Sequence, residues 1–164
     1  MSSPTFIVYF RLIGVCSAVI VMVAGSKSRR KRKKVALLID FNSARDLQTI
    51  IRSYELAQKR GNILFACAYA EEKDLGLIST MSGELERRGI EIRITTGACE
   101  VVMALDIVEL SYSDKADIIT VCTRRDILMP ALIEVKRLGK KLVILSPISI
   151  PSNLEEIADE IETI

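Results

Sequence analysis

The chain has 164 residues, of which 49% are hydrophobic. This length and composition allow one buried core with an appendage, but the chain is too short for two full domains. It contains no histidine, so Ser-His and Cys-His nucleophilic catalysis and histidine-ligated metal sites are excluded, and any acid–base or metal chemistry has to rest on carboxylates. The net charge of +2 is unevenly distributed: eight of the 23 basic residues precede Val35 and all 21 acidic residues follow it, so residues 35–164 carry fifteen basic side chains and a net charge of about −6.

The first 26 residues form an apolar segment that is followed by a basic linker. Residues 5–26 are apolar apart from one arginine and match the length of a membrane-spanning helix, which needs about 20 residues. Seven of the eight side chains in residues 27–34 are basic, and the positive-inside rule keeps such a linker cytoplasmic. Two interpretations stay open. Either an N-terminal apolar helix anchors the domain of residues 35–164 to the inner face of the cell membrane, or the start is mis-assigned and a cytosolic chain begins at Met22.

From residue 34 onward, short apolar runs alternate with helical patterns. The runs VALLID (35–40) and NILFACAY (62–69) predict strands that are covered on both faces. Between them lies a helical pattern with Ser43 as N-cap and Gly61 as the stop.

The same alternation continues to the end of the sequence. A helix ending at Gly89 precedes the strand IEIRITT, a helix over residues 98–112 precedes ADIITVCT, and ILMPALIEVKRLG precedes KKLVILSP. The acidic tail of residues 152–164 predicts a short helix, with an edge strand as an alternative ending. Five β-units separated by helices predict an α/β fold, a three-layer α/β/α domain with a five-stranded, mainly parallel sheet and right-handed crossovers.

Several common motifs are missing from the sequence. The first strand is not followed by Gly-x-Gly-x-x-Gly, and Gly-x-x-x-x-Gly-Lys does not occur, so we expect no nucleotide cofactor. The four cysteines form no Cys-x-x-Cys pair, which indicates reduced, buried thiols in a cytosolic setting rather than disulfides or a zinc site.

Polar residues follow the first and fourth predicted strands. For a strand order of 3-2-1-4-5, the carboxyl ends of these two strands lie side by side at the point where strand order reverses. Residues 40–43 would then face residues 123–126 across a crevice, with Glu100 at the start of the third helix as a third contributor. Converging carboxylates can hold Mg²⁺ or Mn²⁺ for phosphodiester hydrolysis, whereas a single strand-end aspartate more often forms a turn or a helix cap.

The stretches KKVALLIDFNS and residues 97–145 resemble the NYN domain, a branch of the PIN-like nuclease superfamily, and the resemblance covers about residues 33–147. It implies the PIN-like α/β/α fold and RNA cleavage by a few acidic residues that hold a divalent metal. It also implies roles for three acids: Asp40 matches the aspartate of the family's I-D-G-x-N motif, Glu100 matches the aspartate that opens the third helix, and Asp106 matches a later acid on that helix. Asp40, Glu100 and Asp106 are therefore the expected metal ligands.

The chain departs from the family pattern within these motifs. Phe41 replaces the glycine of the first motif, and Ser43 replaces its asparagine, although Asn42 lies next to it. The two aspartates that end the family's fourth strand fall on Arg125 and Ile127.

Asp126 would match one of these aspartates only if the alignment with the family pattern were shifted by one residue, a one-residue slip. The catalytic set would then be Asp40, Glu100 and Asp126. Without that slip, Asp126 is expected to stabilise the dipole of the following helix. An arginine at position 125 can pair with the carboxylates and disfavour metal, so we expect Mg²⁺ or Mn²⁺ to bind weakly or not at all.

Three functional hypotheses follow. The first is a metal-dependent ribonuclease, and the second is a non-catalytic domain that binds RNA, with the basic linker adding a salt-dependent attraction to phosphates. The third is a membrane-tethered adaptor or protein-interaction domain, in which the linker contacts anionic lipid. The candidate nucleic-acid contacts all lie at the crevice: Asn42, Ser43, Thr123, Arg124 and Arg125.

Overall fold

A computed structural model describes residues 32–164 of the chain. The predicted apolar N-terminal helix and most of the basic linker lie outside the described residues, so both remain predictions. Within residues 32–164, none of the helices combines the length and the hydrophobicity of a membrane span.

The described part of the chain is an alternation of strands and helices. Its six strands are β1 (Lys34–Asp40), β2 (Asn62–Glu71), β3 (Glu91–Thr95), β4 (Ile118–Cys122), β5 (Lys141–Ser146) and β6 (Glu160–Thr163). Its five helices are α1 (Leu47–Arg60), α2 (Leu75–Arg87), α3 (Cys99–Tyr112), α4 (Met129–Arg137) and α5 (Ser152–Ile157). Short 3₁₀ turns at Glu72–Asp74 and Asp126–Leu128 lead into α2 and α4.

All six strands belong to one parallel sheet with the order β3-β2-β1-β4-β5-β6. The predicted order of the first five strands is confirmed, but the prediction of five strands was wrong by one. The additional strand, β6, pairs parallel with β5 at the edge of the sheet. Arg60 at the end of α1 binds both Glu160 and Glu162 of β6, so contacts distant in sequence hold this acidic strand in place.

Both faces of the central strand β1 are buried, which explains its uninterrupted apolar sequence. Leu37 and Ile39 belong to a core cluster with buried side chains of α1 and α2, whereas Ala36 and Leu38 belong to a second cluster with buried side chains of α3 and α4. Burial of one such leucine or isoleucine side chain contributes about 1.5–3 kcal/mol. The domain is therefore a three-layer α/β/α sandwich, as predicted.

The register of β1 and β4 positions the candidate site. The two strands are direct neighbours, and Ile39 of β1 is paired with Cys122 of β4. Asp40 and Thr123, one residue further along each strand, therefore reach the carboxyl edge of the sheet side by side.

Candidate functional site

The crevice lies at the carboxyl ends of β1 and β4, beside the start of α3. The structure brings Asp40, Glu100, Thr123 and Arg125 together there, as the strand order predicted. Asp40 and Thr123 are completely buried, and the side chain of Glu100 is only 4% exposed. Residues separated by more than eighty positions in the sequence thus meet in one place because of the topology of the sheet.

The carboxylate of Asp40 accepts three hydrogen bonds. Its Oδ1 accepts from the backbone N–H of Asn42 at 2.9 Å. Its Oδ2 accepts from the hydroxyl of Ser43 at 2.6 Å and from the hydroxyl of Thr123 at 3.2 Å. Because a buried polar group without partners is strongly destabilising, these donors from within the protein satisfy the buried carboxylate of Asp40.

The two hydroxyl groups also connect Asp40 to the chain that leaves β4. Ser43 Oγ accepts from the backbone N–H of Arg124 at 3.2 Å, and Thr123 Oγ1 accepts from the backbone N–H of Arg125 at 3.1 Å. Each hydroxyl therefore donates to Asp40 and accepts from a main-chain amide. We call the two hydroxyls the hydroxyl relay, and it fixes the backbone from Thr123 to Arg125 against β1.

Glu100 and Arg125 form an ion pair inside the crevice. Glu100 lies in the first turn of α3, and its Oε1 contacts Nη1 of Arg125. The side chain of Arg125 is 37% exposed, so the guanidinium spans from the buried carboxylate to solvent. The crevice thus contains its own cation at the position where the family pattern has an aspartate.

Cys99 is a member of the site that sequence reasoning missed. Ligand atoms of Asp40, Cys99 and Glu100 all lie within 4.8 Å of one another, and all three residues are buried. Burial raises the pKa of the Cys99 thiol to about 11, and the negative charges of Asp40 and Glu71 act in the same direction. The thiol is therefore protonated at neutral pH, and Asn42 Nδ2 approaches its sulfur at 3.6 Å.

A hard divalent cation such as Mg²⁺ does not fit this arrangement. Mg²⁺ requires oxygen ligands in nearly octahedral geometry, and one of the three candidate ligands is the soft sulfur of a cysteine. The charge of Glu100 is already compensated by Arg125, whose guanidinium would repel a cation that approached the same carboxylate. Among the described residues, no other acid or cysteine places a ligand atom within 4.8 Å of all three.

Asp106, the third metal ligand that the resemblance implied, is not brought to the crevice. It lies six residues beyond Glu100, which places the two side chains roughly 120° apart around the axis of α3. Asp106 Oδ2 accepts from the hydroxyl of Tyr69 on β2 and forms an ion pair with Arg93 on β3. Burial raises the pKa of Tyr69, so its hydroxyl stays protonated and donates to Asp106.

Asp126 and Arg124 lie on the outer side of the crevice. Asp126 is exposed and begins the 3₁₀ turn that precedes α4, and it forms no ion pair with any residue in the range 32–164. The one-residue slip that would bring Asp126 to Asp40 and Glu100 is therefore not observed. Arg124 is also exposed, and residues 124–127 form one wall of a groove of about 650 Å³ whose other wall is residues 148–151.

Glu71 adds a carboxylate that the sequence reading did not single out. It is the last residue of β2, the neighbour of β1, and therefore reaches the same edge of the sheet. A hydrogen bond from Lys73 lowers the pKa of Glu71, with smaller contributions from the Asn42 side chain and the charge of Arg125. Its position directly after the apolar run NILFACAY and one further residue could have identified it in the sequence as a strand-end carboxylate.

Comparison with known proteins identifies the family. A search of the curated proteins gave no match. The sequence model of the NYN domain family matches residues 34–164, which extends the resemblance of residues 33–147 to include β6. Since this match covers most of the chain and all six strands, the protein belongs to the NYN domain family.

Proposed function

We propose that this protein binds RNA at the crevice, as a member of the PIN-like ribonuclease class whose acidic metal site is partly degenerate. The observation that carries the proposal is the ion pair between Arg125 and Glu100. It places a fixed positive charge where the family pattern places a metal-ligating aspartate. An RNA phosphate can interact with a guanidinium as well as with a bound metal ion.

Two adjacent arginines at the groove support RNA as the ligand. Residues 35–164 have a net charge of about −6, yet Arg124 and Arg125 are adjacent cations at the groove. Ile127 and Ile148 contribute exposed apolar surface to the two walls of the same groove. Adjacent arginines with apolar surface beside them suit a single strand, whose phosphates need cations and whose ribose and base faces are partly apolar.

The basic linker of residues 27–34 would add affinity without sequence specificity. Contacts between its lysines or arginines and phosphates release counterions, so this part of the binding weakens steeply as salt increases.

Divalent-metal dependence is typical of the family, but the pairing of Glu100 and the thiol of Cys99 argue against it here. We therefore expect the wild type to bind Mg²⁺ or Mn²⁺ weakly and to cleave single-stranded RNA slowly or not at all.

The test is a calorimetric Mn²⁺ titration combined with an RNA cleavage assay, both on the full chain. We expect no resolved isotherm for the wild type and stoichiometric Mn²⁺ binding for Arg125→Asp, because that variant removes the internal cation and adds an oxygen ligand. Asp126→Asn is the matched control, since it changes an exposed neighbouring charge.

Stoichiometric Mn²⁺ binding with RNA cleavage by the wild type would overturn the degenerate-site proposal. Failure of the wild type to bind single-stranded RNA at low salt would overturn the RNA function and leave the adaptor hypothesis.

A further inference from the structure

We infer that Glu100 acts as an internal substitute for an RNA phosphate, and that an incoming phosphate takes Arg125 away from it. Arg125 is then the phosphate-binding residue of the crevice, and Glu100 sets its affinity by competing for the guanidinium. This inference rests on the proposed RNA function and deepens it, because it states how RNA enters a site that is already paired.

Glu100 and Arg125 differ in exposure, and this difference determines which of them an incoming phosphate contacts. The carboxylate of Glu100 is buried, whereas Arg125 is 37% exposed and lies in the wall of the groove. An anion can therefore reach Arg125 from solvent without entering the protein. A guanidinium offers several N–H donors in a planar fork that matches a phosphate, so the first contacts with the phosphate can form before the ion pair with Glu100 separates.

The position of Glu100 on α3 makes its release less unfavourable. A buried carboxylate that loses its partner is destabilising, and this penalty lowers the RNA affinity of the wild type. Glu100 lies in the first turn of a 14-residue helix, where the unpaired backbone N–H groups and the helix dipole favour a negative charge. The carboxylate therefore keeps part of its stabilisation after Arg125 has moved.

The backbone at Arg125 holds the side chain ready for either partner. The hydroxyl relay binds the backbone N–H of Arg125, so the exchange requires movement of the side chain alone.

The experiment measures Kd for fluorescein-labelled single-stranded RNA by anisotropy. The full chain is used in a mild detergent, with EDTA present to remove divalent cations. We expect Glu100→Gln to tighten the Kd by about tenfold, the lower end of the coupling measured for close charge pairs. Glu100→Asp should change the Kd in the same direction, because it shortens the side chain but keeps an acid in the first turn of α3.

Two further variants separate competition from general electrostatics. Asp126→Asn removes one negative charge from the same groove, and we expect it to change the Kd much less than Glu100→Gln. In the double variant Glu100→Gln/Arg125→Gln, the tighter RNA binding caused by Glu100→Gln should disappear, because the guanidinium that this change releases is no longer present. Urea unfolding of each variant verifies that it is folded.

The outcomes distinguish this inference from the RNA function itself. If the wild type binds RNA and neither Glu100 variant tightens the Kd, the competition is overturned and the RNA function stands. An equal gain for Asp126→Asn, or a gain that persists in the double variant, also overturns it. If neither the wild type nor the Glu100 variants bind RNA, the inference and the proposed function fail together.

Discussion

Replacement of Asp40 by asparagine is expected to destabilise the fold even when no metal is present. In the variant, the amide oxygen can still accept from the backbone N–H of Asn42, which places the amide NH₂ against the hydroxyls of Ser43 and Thr123. Both hydroxyls already accept from main-chain amides, so their own hydrogens lose the only buried acceptor that the structure provides for them within residues 32–164. A buried donor without a partner costs about 1–3 kcal/mol, so two of them predict a loss of about 2–6 kcal/mol.

The assay for Asp40→Asn is urea unfolding in EDTA, with the free energies of unfolding compared at equal m values. Asp126→Asn is the control, and we expect it to lower the free energy of unfolding by no more than about 1 kcal/mol, the contribution of an exposed acid in the first turn of a helix. A loss below about 0.5 kcal/mol for Asp40→Asn would refute the hydroxyl-relay argument. A loss that appears only when Mn²⁺ is present would instead show that Asp40 serves a metal.

Two further predictions concern the opposite edge and the last strand of the sheet. Gly61→Ala is expected to reduce the free energy of unfolding by about 1–3 kcal/mol in the same urea assay, because the new Cβ would lie 2.1 Å from the backbone oxygen of Lys33. An unchanged urea midpoint would contradict this close packing. Hydrogen bonds from lysine side chains lower the pKa values of Asp159 and Glu160 below their ordinary 3.8 and 4.5. These carboxylates therefore stabilise the folded state above those values, and this contribution is lost as the pH falls through their lower folded-state pKa values. We expect the hydrogen-exchange protection factor of Ile161 in β6 to fall in that acidic range before that of β1, and parallel loss in both strands would contradict the prediction.

The fold could be predicted from the sequence where local pattern and burial agree. Continuous apolar runs identified β1, β2, β4 and β5, because a strand covered by helices on both faces is apolar at nearly every position. The edge strand β3 was predicted from IEIRITT, which alternates apolar with polar residues and is only partly buried. The strand β6 could not be assigned in the same way, since its sequence EIET alternates acids with other residues and half of it faces solvent. Besides its pairing with β5, it is held by Arg60, about 100 residues earlier, and such a contact leaves no local signature.

The candidate site was predictable to the extent that strand ends determine it. Asp40 and Glu100 were identified because topology alone brings the end of β1 and the start of α3 to the same edge. The direction of Asp106 could not be read from the sequence, because it depends on helix rotation and on its partners Tyr69 and Arg93, which lie on other strands. Cys99 was missed because a buried cysteine is ordinarily a core residue, and only the geometry shows its sulfur beside two carboxylates.

The alternation of side chains after β4 explains why Arg125, and not Asp126, occupies the crevice. Arg125 has extended dihedral angles, φ −102° and ψ 120°, so the strand-like alternation continues past the last ladder residue. Thr123 therefore points inward, Arg124 outward and Arg125 inward, and the 3₁₀ turn then carries Asp126 to the surface. Since the hydroxyl relay binds main-chain atoms of residues 124 and 125, the direction of residue 125 does not depend on its side chain. The same backbone would therefore present a carboxylate to a metal or a guanidinium to a phosphate, and the identity of this one residue selects between the two.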